Sequence, residues 1–255
     1  MKVIDLYKYL DASIPPSLSC DWDNDGLMCC GDPEHEVKKV LIALDITERT
    51  VEEAVKGGFD VIISHHPMIF KKIGALEPTV GSARKAIKLI KNDISAMSFH
   101  TRLDALKGGV NDVLCEKLGV RNTVPFGPDG EEMGRIGTLD PPISLEDFCA
   151  KIKKSLGTPI VLSAGCGKSV HKVALLGGDG KDFVYSAIKE GADTYISGRI
   201  SYNIMVEAPE MGINLIEAGH FYTENPVCEF LAELVKKSSA DIETKIFSSN
   251  EIKVI

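Results

Sequence analysis

The sequence predicts an α/β protein made of two copies of one strand–helix plan, and three observations predict it. Apolar strand-like runs alternate with helical ones, the pattern of a mixed, largely parallel sheet covered by helices. A block of the first half recurs in the second at a constant offset. Three of the apolar runs end in histidines, where open α/β sheets place their ligands.

The elements follow in order. The opening Met-Lys-Val-Ile-Asp-Leu-Tyr-Lys-Tyr-Leu has the spacing of an amphipathic helix, and acidic Asp5 with no cleavage pattern disfavours a signal peptide. Val40–Leu44 reads as a strand, Glu48–Lys56 as a helix and Val61–Ile63 as a buried strand. Ala83–Lys91 then reads as a helix and Ile94–Phe99 as a strand, with Gly57-Gly58 and Gly191 as helix stops. Lys39-Val-Leu-Ile-Ala returns as Lys172-Val-Ala-Leu-Leu, an offset of 133 residues from Lys39 to Lys172. The same offset lays Ala54-Val-Lys-Gly-Gly-Phe-Asp-Val-Ile-Ile-Ser64 on Ala187-Ile-Lys-Glu-Gly-Ala-Asp-Thr-Tyr-Ile-Ser197. Chance likeness between strand–helix–strand units explains one such match less well than duplication explains the set. His100 and Asp104 match His220 and Glu224 at an offset of 120, which implies a deletion in the second copy. A Pro/Gly-rich stretch over residues 121–142 marks the boundary, dividing the chain into a first lobe of about 1–125 and a second of about 126–255. A return of the C-terminus to the first lobe stays open.

Composition narrows the function. The 255 residues suffice for a substantial core, and a net charge of −8 disfavours a general nucleic-acid surface. No apolar run approaches the roughly 20 residues that span a bilayer. Seven cysteines, an odd number without a C-x-x-C pair, fit the reduced thiols of a cytoplasmic protein. Cys29-Cys30 is a soft-metal pair or, more simply, two small buried side chains.

The histidines carry the chemistry. Val61–Ile63 leads into His65-His66, Ile94–Phe99 into His100-Thr-Arg-Leu-Asp104, and Ile213–Ala218 into His220-Phe-Tyr-Thr-Glu224. Imidazole mixed with carboxylate is a divalent-metal donor set, and five or six such ligands exceed one tetrahedral ion. Adjacent histidines inside a strand face opposite ways, but past a strand end stopped by Pro67 they can diverge towards two ions. The bland alternative is an ordinary loop pair and two solvated turns. His35 and His171 sit in charged surroundings and read as exposed.

These residues resemble the GTP cyclohydrolase 1 type 2 homolog family, also called NIF-three-like. Trp22-Asp-Asn-Asp-Gly-Leu27 resembles its W-D-N-x-G-L segment, and Asp60-Val-Ile-Ile-Ser-His-His-Pro-Met-Ile-Phe70 its His-His-Pro signature. His100-Thr-Arg-Leu-Asp104 is similar to H-T-N-x-D, and Gly219-His-Phe-Tyr-Thr-Glu224 to the closing G-H-x-x-T-E. The resemblance implies two intertwined α/β lobes, a homohexameric ring and two divalent ions, which Zn, Fe or Mn would all suit. It implies His65, His66, Asp104, His220 and Glu224 as ligands, Glu224 as a bridge, and His100 as an acid–base or supporting group. It also implies a hydrolase that opens the imidazole ring of GTP and releases formate. A non-catalytic metal-binding regulatory ring is the alternative, because a site does not name its substrate.

The chain departs from the family at Arg102, where Asn is usual, at Ser64, where Thr is frequent, and over Gly198-Arg199-Ile-Ser-Tyr-Asn203, so both arginines are candidates for altering pocket charge. Lys71, Lys72 and Arg102 are placed to meet phosphates, with solvated charge the simpler reading of the lysines. Gly177-Gly-Asp-Gly180 is either an anion-binding turn or a tight strand-to-helix turn, the second being favoured. Trp22-Asp23-Asn24 is read as an indole packed on the core beside Asx turns.

Overall fold

The computed structural model describes residues 1–128 and 130–255. The chain opens with α1 (Val3–Ser13), β1 (Gly26–Cys29), β2 (Lys39–Ala43), α2 (Glu48–Gly57) and β3 (Val61–Ser64). It continues through α3 (Gly81–Ile90), β4 (Ser95–Ser98), α4 (Thr101–Ala105), α5 (Val110–Leu118), β5 (Arg121–Phe126) and β6 (Gly134–Ile143). Next come α6 (Leu145–Leu156), β7 (Leu162–Ala164), β8 (Val170–Asp179), α7 (Val184–Lys189) and β9 (Thr194–Arg199). The last are α8 (Tyr202–Glu207), β10 (Asn214–Glu217), α9 (His220–Glu224), α10 (Val227–Ser238) and β11 (Glu243–Ile246).

Two compact units result: Met1–Leu103 with Val227–Glu251, and Asp104–Pro226 with Ile252–Ile255. The first holds a sheet ordered β1-β4-β3-β2-β11, in which β2, β3, β4 and β11 run parallel and β1 is antiparallel to β4. The second holds a sheet ordered β5-β6-β8-β9-β10-β7, parallel through β8, β9 and β10 with antiparallel strands on both flanks. Mixed α/β architecture is therefore what the chain adopts.

Local sequence explains the elements. Every residue of β3 is buried, as expected of a central parallel strand whose two faces are both covered. Ahead of α2, Thr47 accepts a hydrogen bond from the Thr50 N–H, and left-handed Gly58 ends the helix after Val51 and Ala54 have faced the core. On α1, Val3, Leu6 and Leu10 make the buried stripe.

The repeat holds at the level of register. Val40 pairs with Val61 and Ala43 with Ser64 in the first sheet; 133 residues on, Val173 pairs with Thr194 and Leu176 with Ser197. The lobe boundary expected near residue 125 falls instead inside the second unit. The Pro/Gly-rich stretch is there a hairpin joining β5 to β6, and Pro125 is tolerated because β5 is an edge strand. The chain returns to the first unit at α10, and β11 adds to β2 through Glu243 opposite Lys39. Among the described residues no helix is long and apolar enough to cross a membrane. Among the described residues the cysteines form no disulfide, and burial pushes the Cys29 thiol up to about 11.

Candidate metal centre

In the first unit the backbone leaves the sheet immediately after Ser64. The Ser64 hydroxyl donates to the His66 carbonyl at 2.7 Å, and the His66 N–H to the Leu44 carbonyl at 3.0 Å. This turn brings the rings of His65 and His66 to 4.9 Å, on one side, rather than to opposite faces. His100, just past β4, lies 5.3 Å from His65 and 5.7 Å from His66 by ring centroid. One ring nitrogen from each of the three falls within 4.8 Å of the others.

Each imidazole is oriented through the same atom. His65 Nδ1 lies 3.0 Å from the Phe99 carbonyl oxygen, His66 Nδ1 2.7 Å from Asp45 Oδ1, and His100 Nδ1 2.9 Å from Asp23 Oδ1. A carbonyl only accepts, so Nδ1 of His65 is the protonated nitrogen, and Nε2 carries the lone pair. The carboxylates impose the same tautomer on neutral His66 and His100. Such partners are how proteins fix metal-binding imidazoles. Burial works to raise Asp23, but hydrogen bonds from His100 and from the hydroxyl and N–H of Thr101 outweigh it and hold the carboxyl well below its usual range.

The second unit carries the second His–carboxylate pair. His220 and Glu224 open and close the single turn of α9, with Nε2 and Oε2 3.0 Å apart. His220 is half exposed, whereas the Glu224 side chain is only 6% exposed. Its seat is made by Gly178: a Cβ there would stand 2.1 Å from Glu224 Oε1, and φ is +68°. Gly177, Gly178 and Asp179 are the irregular end of β8 rather than the expected turn after the strand, and the N–H groups here are taken within the protein, Gly177 by Asn111, Gly178 by Thr223 and Gly180 by Ser197. Asp104, the first residue of this unit, is 8% exposed, and its carbonyl accepts from the Asn111 amide at 3.3 Å.

Histidine and glutamate groups able to bind a metal ion are thus present, and their donors fit one. His65 Nε2, Asp104 Oδ1 and Glu224 Oε2 are all shielded from solvent, and imidazole with carboxylate suits Zn, Fe and Mn alike.

Several expectations are corrected. Arg102 does not face a phosphate site. It is 1% exposed, donates to Asp25, Asp11 and the Ile14 carbonyl, and lies 4.7 Å over the Phe99 ring, because its place in α4 turns it towards α1. Lys71 and Lys72, by contrast, are exposed, in line with the simpler reading of solvated charge, and Arg199 is exposed at the end of β9. His35 and His171 are half-buried rather than exposed, one bonded to Asp60 and the other to the Leu139 carbonyl. Trp22 is 59% exposed and does not pack on the core. Asp45 and Asn111 were not singled out in the sequence, and Thr223 was read only as a member of the closing motif. The signal for Asp45 was available, since it too is a polar residue just past a strand, whereas Asn111 acts through contacts that only folding creates.

The family model described as Duf34/NIF3 (NGG1p interacting factor 3) matches residues 1–253. A GTP cyclohydrolase 1 type 2 homolog of Clostridium perfringens is 36% identical over 258 aligned positions, covering 99% of this chain and 98% of that protein. Among solved structures, a hypothetical protein of Staphylococcus aureus superposes with a TM-score of 0.89 at 30% identity, covering 100% of this chain and 99% of the other. Reduced HcgD from Methanocaldococcus jannaschii gives a TM-score of 0.82 at 30% identity, with 97% of each chain covered.

Proposed function

Since the chain belongs to the Duf34/NIF3 family, we propose that it is a dinuclear metal-dependent hydrolase acting on GTP or a related nucleotide or heterocycle. The substrate class follows the name of its GTP cyclohydrolase relatives. His65, His66, Asp104, His220 and Glu224 would hold two divalent ions, with Glu224 bridging through its two oxygens. Bound there, the ions supply Lewis acidity and make water acidic enough to serve as a nucleophile near neutral pH. His100 moves a proton at Nε2 while Asp23 holds its Nδ1–H. Burial of Asp104 and Glu224 keeps bulk water from competing for their oxygens. One observation carries the reading: all three first-unit imidazoles are tied at Nδ1 to an oxygen and so present Nε2 as a lone-pair donor.

A homohexamer in the cytoplasm completes the proposal, the odd number of cysteines without a C-x-x-C pair supporting the compartment. A second reading, a non-catalytic metal-binding interaction or regulatory ring, is favoured by the words "interacting factor" in the family description. Metal analysis of the purified protein, paired with a formate-release assay on GTP, tests both. Glu224→Ala should lose bound metal and formate release together. Unchanged metal content in that variant would remove Glu224 from the ligand set, and metal-bound wild type that never releases formate would favour the second reading.

A further inference from the structure

Trp22 is the one tryptophan of the chain, and it is 59% exposed although an indole gains much from burial. The two residues that follow it are held in place. The Asp23 side chain is 1% exposed and bonded to His100 and Thr101. Asn24 donates its side-chain amide to the Ile69 carbonyl, which ties this loop to the segment carrying Phe70. Phe70, 47% exposed, stands 6.3 Å from the indole at an interplanar angle of 72°. Both rings meet His100 edge to face, Trp22 at 6.3 Å and Phe70 at 6.1 Å.

Two exposed aromatic rings therefore stand beside the His100 imidazole. The buried bonds of Asp23 set the indole's position relative to His100 in particular. A surface meant only to receive another protein does not require that coupling; a site that must present a ring to an acid–base group does. The geometry points to the exposed indole of Trp22, bordered by Phe70, as the stacking site for a planar heteroaromatic ring of the substrate, held with an edge towards His100. The assignment rests on the nucleotide or heterocycle reading above and names the residues that hold the ring. Every base has a π-face, so the grip selects aromatic planarity rather than one base.

The single tryptophan makes the test direct. Guanosine, which has no phosphate, is titrated into the protein as purified and again after chelator treatment, with ribose 5-phosphate as the ring-free control. We expect saturable quenching of Trp22 emission by guanosine in both preparations and none by the control. By calorimetry, Trp22→Ala should weaken guanosine binding roughly 5- to 150-fold, the range of base–aromatic stacking, with Trp22→Phe recovering most of it and Phe70→Ala losing less. No quenching, or equal affinity in Trp22→Ala with native circular dichroism, overturns the assignment. So does an emission shift that follows protein concentration without ligand, since a second copy would then be covering the rings. None of these readouts needs turnover. Failure of the hydrolase reading shows as absent formate release, and failure of the stacking site as unaltered binding.

Discussion

The two halves of the chain keep the same scaffold and part company at the strand ends. In the first, Asp60 accepts hydrogen bonds from the N–H groups of Lys38 and Lys39; in the second, Asp193 accepts them from His171 and Lys172. The Asp60 N–H donates to the Lys39 carbonyl, and that of Asp193 to the Lys172 carbonyl. Towards the strand ends the matching positions diverge. Asp45 answers to Gly178, and His65-His66 to Gly198-Arg199. A Cβ at Gly198 would lie 2.7 Å from the His220 Cα and 2.6 Å from Thr223 Oγ1, so α9 fills the space that a histidine side chain takes in the first half. His100 follows β4 by two residues, whereas His220 follows β10 by three, Gly219 being the extra one. The difference teaches that register and backbone bonding constrain both copies, while chemistry is set by which strand end leaves room. One copy offers paired imidazoles, the other a seat for a buried carboxylate.

The sharpest way to break this asymmetry is to give the second half a side chain where the first has one. Gly178→Ala forces a Cβ against Glu224 at positive φ, and we expect a loss of about 3 kcal/mol from strain and overpacking together. Asp45→Ala, at the matching position, introduces no clash and should cost clearly less. Urea unfolding of the two variants checks the order, and equal losses would mean that Gly178 is not a seat for Glu224.

A smaller effect separates the duplicated aspartates. Burial works to raise Asp60, but His35 and two backbone N–H groups outweigh it and hold the carboxyl below its ordinary value of 3.8. A group depressed on folding stabilises the protein above its unfolded pKa, and this contribution is lost as pH falls through the folded value. Asp60→Asn should therefore cost about 2 kcal/mol at pH 7 and flatten the decline in stability below about pH 4. Asp193 has no imidazole among the partners described above, so Asp193→Asn should cost about 1 kcal/mol. Denaturant midpoints measured from pH 7 down to pH 3 decide it, and an unchanged acid limb in Asp60→Asn would refute the role given to Asp60.

The strands, their alternation with helices and the repeat were legible because buried apolar runs and a constant offset survive in a linear text. His65, His66, His100, Asp104, His220 and Glu224 were legible because they follow those runs directly. What escaped depends on which way a side chain turns. Arg102 lies two residues from both His100 and Asp104, yet the turn of α4 sends it to Asp11 and Asp25. Trp22 and Asp23 are neighbours with opposite fates, one exposed and one buried, because His100 and Thr101 claim the carboxylate. The return of β11 to β2 was unreadable for a different reason: Glu243–Ile246 is a half-exposed edge strand, without the continuous apolar run that marks β3.

The smallest expected effect sharpens the comparison from the other side. Arg199 occupies the position of His66 but is exposed at the end of β9, and its neighbour Gly198 leaves no room for a second imidazole. Arg199→His restores the first-half residue without restoring the space around it. Stability should stay within about 0.5 kcal/mol of wild type, as for other exposed substitutions. Metal content should not rise either, because His65 and His66 depend on a backbone turn made by the Ser64 hydroxyl bond to the His66 carbonyl, whereas the matching Ser197 donates to the Gly178 carbonyl instead. An added equivalent of metal in Arg199→His would show that side-chain identity, rather than the room left at the strand end, separates the two halves.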